Sequence, residues 1–328
     1  MKINRDNLSR KDIFLLNSFG EDVLNLIEDD EVNEVYVNHD YYVWKDTIYG
    51  RVKTDILLKE STVRSICEAI AGVNDDIISE TKPELGVELV NLEIRAQLVY
   101  PPISRRPIFF LRKKPAKVYT LEDYKSSGSL SEAYYDVIVK LIKERKNVVV
   151  AGATGSGKTT FLNAILCKLS EVSPEHRLLL LEDLPELKST SKDVQRLTVS
   201  GNKSTKISMQ DLVFIAMRMS PHRIIVGEVR NQAAYDMLKA WNTGHEGGFC
   251  TIHANSTENT FLRLESLVRE SPQVNDTEMA RTFIGASINA VISIQKKVSD
   301  TGTIRLIDDI ILVHGYNSST KQFEFTHL

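Results

Sequence analysis

The stretch VVVAGATGSGKTT, Val148 to Thr160, constrains the fold more than any other part of the chain. A continuous apolar run stops at Gly152, a glycine-rich turn follows, and Lys158 leads into a helical run, FLNAILCKL. Gly152 to Thr159 fits GxxxxGK[ST], and a strand before it with a helix after it is the context that makes such a turn a phosphate-binding loop. The residue types follow from that chemistry. Gly152, Gly155 and Gly157 permit backbone angles and close approach that a Cβ would obstruct. The N–H groups running through Ala153, Thr154 and Ser156 to Thr160 can then face a β-phosphate at a helix N-terminus. Lys158 supplies a mobile charge to the β- and γ-oxygens of ATP, and Thr159 a hydroxyl for the Mg²⁺ that ATP brings with it.

The surrounding pattern agrees with such a loop. From about residue 130, Leu130, Tyr134, Val137, Ile138 and Leu141 repeat at helical spacing, and buried-type strands follow at NVVVAG, RLLLLE, RIIVGE and FCTIHA. Ser208 opens a capping box with Asp211, while Asn231 and Ser256 stand at N-cap positions. Strands apolar on both faces with helices between them predict a parallel α/β sheet. After about residue 290, AVISIQ, TIRLIDDIILV and FEFTHL, joined at SDTG and GYNSST, read as added hairpins.

Residues 1–113 read differently, as an α+β unit in which VYVN, YYVW and LEIRAQLVY are short strands. STVRSICEAIAG is a helix capped by Ser61 and closed at Gly72, with Val63, Ile66, Cys67 and Ile70 on one face. Prolines 101, 102, 107 and 115 then interrupt the chain, and residues 114–129 are expected to form a linker carrying a short helix at YTLEDY. The third segment, residues 130–328, is the P-loop domain. No internal repeat is present.

Composition excludes several classes. With 42% apolar and 26% charged residues in 328, neither wholesale disorder nor a membrane span is expected; no apolar run nears the roughly 18 residues that spanning needs. The start, MKINRDNLSRKDIFLLNSFG, lacks the basic head and apolar run of a secretory signal, which points to the cytoplasm, with any membrane role borrowed from a partner. Cys67, Cys167 and Cys250 are never spaced as CxxC and read as small core residues. A net charge of −3 leaves no global footprint for nucleic acid. The local exception is SRRPIFFLRKKPAK, where Arg105, Arg106, Arg112, Lys113, Lys114 and Lys117 are either a solvated basic strand edge or phosphate contacts.

A P-loop needs acids near the γ-phosphate, and strand ends are where an α/β sheet puts them. RLLLLEDLPEL ends with Glu182 and Asp183, with Glu186 just beyond, and RIIVGEVR places Glu228 after an apolar run. Gly227 stands where many P-loop enzymes carry a Mg²⁺-holding Asp, so Glu228 is expected to act through water or as the base that orients it. The alternative for each acid is a helix cap. GHEGGFCTIHANS sets His245 and His253 eight residues apart, and its other donors, Glu246 and Cys250, match none of the usual zinc spacings. FCTIH instead delivers His253 to the P-loop edge of the sheet, where imidazole can bond a γ-phosphate or a water and lose that bond after hydrolysis; a buried structural histidine is the other reading.

In order, GATGSGKTT, LEDLPEL, MRMSPHRIIVGEVR and TGHEGGFCTIHANS resemble the Walker A, Asp box, atypical Walker B and His box of the traffic ATPases of type II and type IV secretion. MLKAWNTGHEGGFCTIHANS, LVYPPISRRPIFFLRKK and YTLEDY look most like the TrbB group of conjugal-transfer ATPases. The resemblance runs from about residue 85 to 270 and is weaker outside. It implies a hexameric ring in which an N-terminal domain closes over nucleotide held by a RecA-like C-terminal domain. It also aligns Arg95 and Arg112 with N-terminal-domain arginines that meet the γ-phosphate, a role suited to coupling closure to charge; Arg230 and Arg218 are further candidates. His222 replaces the Asp of a common PDRI. A four-cysteine zinc element and a long N-terminal extension are lacking, which favours the smaller conjugation-like branch.

The expected function is a Mg-ATPase motor for conjugative transfer or type IV secretion, peripheral at the inner membrane through partner proteins. Catalysis would fall to Glu228, Glu182, Glu186, Arg95, Arg112 and His253. The rivals are a RecA-like nucleic-acid translocase, suggested by the basic segment, and a non-hydrolysing nucleotide-dependent scaffold.

Overall fold

A computed structural model describes residue 3 and residues 8–47, 50–113, 118–199, 206–274, 276–299 and 302–328. The chain divides into two compact units, residues 1–117 with 299–303, and residues 118–298 with 304–328.

In the first unit, side chains alternate between a buried and a partly open face. β1 (Val32–Val37) turns Val35 and Val37 inward and Glu34 and Tyr36 outward, as a period of two requires. Beside it lie β2 (Tyr42–Thr47), β3 (Gly50–Leu57), β4 (Glu84–Leu89), β5 (Ile94–Val99) and β6 (Ile108–Lys113). They form one sheet in the order β3-β2-β1-β6-β5-β4, antiparallel throughout. Helices α1 (Arg10–Glu28) and α2 (Glu60–Val73) cover the buried face, adding Leu15, Phe19, Val23, Ile66 and Ile70 to the core. A capping box of Ser9 with Asp12 starts α1.

Two expectations need correction here. α2 begins at Glu60 after an extended Lys59 that makes no side-chain cap bond, so Ser61 lies inside the helix; an acid in the first turn, favoured by the helix dipole, replaces the cap. The basic segment is not an edge: β6 lies between β1 and β5. Lys113 is 7% exposed, and its ammonium donates to the Asp29 carbonyl.

The second unit is built from apolar strands buried on both faces. β7 (Val148–Gly152), β8 (Leu178–Glu182), β10 (Arg223–Val226) and β11 (Phe249–His253) fall on the four predicted runs. β9 (Val194–Thr198), more polar and not foreseen, pairs parallel with β8 at the edge. β12 (Ala290–Ser299), β13 (Gly302–Asn317) and β14 (Gln322–His327) complete the order β14-β13-β12-β7-β11-β10-β8-β9. β12 is more than part of a hairpin, because Ala290–Ser293 pairs parallel with Val148–Ala151 and so flanks the P-loop strand.

Helices fill both faces of this sheet. They are α3 (Leu121–Ser126), α4 (Glu132–Lys143), α5 (Lys158–Val172), α6 (Met209–Met217), α7 (Ala233–Trp241), α8 (Thr257–Arg269) and α9 (Thr277–Ser287). α6 carries the expected Ser208–Asp211 capping box, and Ser256 caps α8. Asn231 instead stands one step before the N-cap Gln232 and accepts the N–H of Ala233, the first residue of α7. The stretch expected as a linker includes α3, whose Leu121 and Tyr124 are buried with Phe161 in the second unit; residues 114–117 lie outside the described residues. Among the described residues, no helix is long and apolar enough to cross a membrane.

Candidate functional site

β7 ends at Gly152, and the chain turns through Gly155 (φ 73°) and Gly157 (φ 96°) before Lys158 starts α5. Both angles lie where a Cβ is strained. At Gly152 space is the constraint, since a Cβ would sit 2.5 Å from both the Ile294 carbonyl and Ser156 Oγ. Thr159 and Thr160 follow in the first turn of α5. The Lys158 ammonium, almost buried, donates to the carbonyls of Gly152 and Ala153 at 3.0 Å each. It is thus folded back over its own loop, and burial lowers its pKa.

Its next neighbour is His253, at the carboxyl end of β11, with Nδ1 3.1 Å from the ammonium. An ammonium only donates, so Nδ1 is the acceptor and the ring proton sits on Nε2. Burial, then the Lys158 charge, lower the His253 pKa and favour this neutral form. Nε2 approaches Glu228 Oε1 to 2.7 Å, yet the contact is not aligned as a hydrogen bond, leaving that buried oxygen without a proper donor. Glu228 Oε2 accepts from Arg230 at 2.6 Å, and Arg230 also reaches Asp183 at 3.2 Å. Burial pushes the Glu228 carboxyl up, but the Arg230 bond and the charges of Arg230 and Lys158 outweigh it and hold it below its ordinary value. Three strand ends therefore bring Lys158, His253 and Glu228 into one chain of contacts.

Glu182 and Glu186 are placed differently from each other. Glu182, 2% exposed, accepts the N–H groups of Glu186 at 2.7 Å and Leu187 at 2.5 Å on one oxygen. Burial raises its pKa against those bonds. Its carboxylate holds the following loop, while Glu186 is only half-buried. Asn163 of α5 fastens the same loop, giving its Nδ2 to the Glu186 carbonyl at 3.1 Å and taking the Lys188 N–H at 2.8 Å. The sequence reading missed Asn163; its signal was one amide within the apolar run FLNAILCKL of a buried helix. Thr251 was missed too, and its hydroxyl donates to the Gly227 carbonyl at 2.6 Å, fixing the turn that carries Glu228.

His245 precedes β11 and His253 ends it, so the strand, at roughly 3.3 Å per residue, keeps the two rings from sharing an ion. Among the described residues no cluster of three His, Cys, Asp or Glu is placed to hold a metal. A Mg²⁺ ion fits on other terms. Thr159 offers one hydroxyl and Glu228 one buried oxygen that lacks a donor, a set suited to an ion that keeps its waters and rides on phosphate oxygens. From His253 the site opens into a cleft of about 610 Å³ lined by Thr154, Asn255, Asn259 and Arg263.

The remaining candidates belong to other elements of the chain. In the first unit, Arg95 and Arg112 are direct cross-strand partners on β5 and β6, and Arg112 stands opposite Glu34, 3.9 Å away. Arg106 lies over the Tyr41 ring at 5.3 Å; Lys114 and Lys117 lie outside the described residues. Arg218 is the exposed C-cap residue of α6. His222 precedes β10, at the end of the sheet away from the P-loop. It stacks on His176 with centroids 5.3 Å apart and accepts the Arg177 N–H at 2.9 Å, while buried Arg223 bonds His176 and the carbonyls of Gly247 and Ile142.

Comparison with known proteins adds independent findings. The family model described as type II/IV secretion system protein matches residues 76–301. Conjugal transfer protein TrbB of Rhizobium radiobacter is 33% identical over 314 residues, covering 94% of this chain and 92% of the relative. Type IV secretion system protein VirB11 of Bartonella henselae is 26% identical, covering 85% and 88%. Among solved structures, the Legionella pneumophila ATPase DotB superposes with a TM-score of 0.65 at 19% identity, covering 86% of this chain and 77% of DotB. That likeness shows the fold, a RecA-like P-loop unit preceded by a smaller α+β unit. With more than half of its length matched by the family model and nearly all of it by a 33% identical relative, the chain belongs to the type II/IV secretion system protein family.

Proposed function

We propose that the protein is a Mg²⁺-dependent ATPase motor that powers conjugative DNA transfer or type IV secretion through nucleotide-driven domain motion in a hexameric ring. The observation that carries this reading is the contact chain Lys158–His253–Glu228 at the mouth of the P-loop. Lys158 rests on neutral carbonyls and an imidazole, and phosphate oxygens are the stronger acceptors, because both partners are then charged. Its transfer to ATP frees His253 Nδ1 to accept a hydrogen bond from a water beside the γ-phosphate. Glu228, kept ionised and oriented by Arg230, polarises the attacking water. Glu182 holds the Asp-box loop in place, and Glu186 is the acid of that loop left to assist. Thr159 would help hold the Mg²⁺ that arrives with ATP, which would supply neutralisation of the charge that develops on the phosphates.

Arg95 and Arg112 are the groups by which the N-terminal unit, residues 1–113 joined through 114–129 to the ATPase unit, reads the γ-phosphate. The relatives' names support a place at a conjugation or secretion complex, and the reading puts the protein on the cytoplasmic side of the inner membrane, held there by partner proteins. Against the translocase reading stand the net charge of −3 and the inward turn of Lys113; turnover raised many-fold by single-stranded DNA would restore it. The test is steady-state hydrolysis by the purified protein and by Lys158→Ala, with native mass measured alongside. Turnover by a six-subunit species, lost by at least about 100-fold in the variant, is expected. Undiminished activity in Lys158→Ala would refute the site, and full activity in a monomer would refute the ring.

A further inference from the structure

β7 lies between β11 and β12, and the second unit's groups proposed to act at the γ-phosphate end, His253 and Glu228, lie on the β11 side. A nucleotide anchored at Gly152–Thr159 with its last phosphate on that side must lead its nucleoside toward β12 and β13. Arg305 of β13 stands there. A Cβ on Gly157 would meet Arg305 Cδ at 2.8 Å and Nε at 3.3 Å, so the arginine stem lies against the loop glycine that precedes Lys158.

Arg305 is half-buried, and among the described residues no ion pair or hydrogen bond engages its guanidinium. Its charged neighbourhood includes Tyr124 of α3. Burial raises that phenol while the Arg305 charge opposes the rise. Tyr124 is nearly buried, edge-on to Phe161 of α5 at 5.1 Å and to Tyr119 at 6.2 Å. Tyr119, 38% exposed, is the accessible ring of this group. A planar cation and a part-exposed aromatic ring are each suited to the face of a purine and its ribose.

We infer that Arg305, which lies against Gly157, and Tyr119, whose ring meets Tyr124 edge-on, bind the nucleoside end of the nucleotide. This assignment rests on the ATPase reading and makes Arg305 a positioning residue, outside the hydrolytic chemistry. Calorimetric titration of wild-type protein, Arg305→Ala, Arg305→Lys and Tyr119→Ala with MgATP and with inorganic tripolyphosphate tests it. The nucleoside reading expects Arg305→Ala and Tyr119→Ala to weaken ATP about tenfold or more and to leave tripolyphosphate within about twofold, because only the former carries a base. Arg305→Lys, which keeps the charge and loses the plane, should fall between. Equal losses for both ligands, or unchanged ATP affinity in both alanine variants, would overturn the assignment. Wild-type protein that binds neither ligand would instead overturn the ATPase reading, and this one with it.

Discussion

Replacing Glu228 by Gln separates binding from chemistry in a way the geometry makes quantitative. The carboxylate and the Lys158 ammonium are linked through one imidazole, with contacts of 2.7 Å and 3.1 Å at its two nitrogens. Unit charges about 8 Å apart attract by about 2 kcal/mol at an effective dielectric constant near 20. That attraction competes with ATP for Lys158, and the same carboxylate repels the phosphates. Removing its charge should tighten MgATP by roughly 3- to 30-fold, the upper figure being the whole 2 kcal/mol. Loss of the base should lower kcat by about 10²- to 10⁴-fold. Titration with a fluorescent ATP analogue and a single-turnover phosphate assay read the two effects on one protein. A variant with kcat within about fivefold of wild type, or with weakened ATP affinity, would contradict the roles drawn from this contact chain.

Three other perturbations have definite outcomes. Glu182→Ala orphans two backbone N–H groups in a buried site, at about 1–3 kcal/mol each; urea unfolding should show a clear loss, and a change below about 0.5 kcal/mol would mean the loop is held by other contacts. Gly248→Ala would put a methyl 2.0 Å from Trp241 Nε1, the atom that donates to the Ile224 carbonyl; overpacking and the lost bond should lower Tm by several degrees, and an unchanged melt would show that the α7–β11 junction gives way freely. Glu122 is destabilised as an anion by burial, but its bonds to Lys168 and Tyr135 prevail and bring its pKa down from 4.5 to about 2. A pKa lower in the folded than in the unfolded chain means stability present above pH 4.5 and lost as pH falls toward 2. The Tm gap between wild type and Glu122→Gln should therefore close over that window, and a gap constant with pH would exclude the linkage.

Much of this protein was legible in local sequence, and the reason is that the decisive constraints were local. A strand, three glycines, a lysine and a hydroxyl within thirteen residues leave a phosphate loop little latitude, and the runs RLLLLE, RIIVGE and FCTIHA could be buried only inside a parallel sheet. Strand ends put Glu228 and His253 within contact reach of Lys158. Tertiary structure alone decided matters that depend on which strand lies beside which. The basic run FFLRK, Phe109 to Lys113, is central because β1 and β5 pair with it on either side, and pairing partners leave no mark within a strand's own residues. Glu182 and Glu186 look alike in LEDLPEL, yet one turns inward because a tight loop presents two N–H groups to it. Arg305, more than 140 positions from Gly157 in sequence, touches it only because β12 and β13 extend the sheet past the P-loop strand. Short-range sterics wrote the loop into the chain, whereas strand order, a balance of many distant contacts, chose the side chains that surround it.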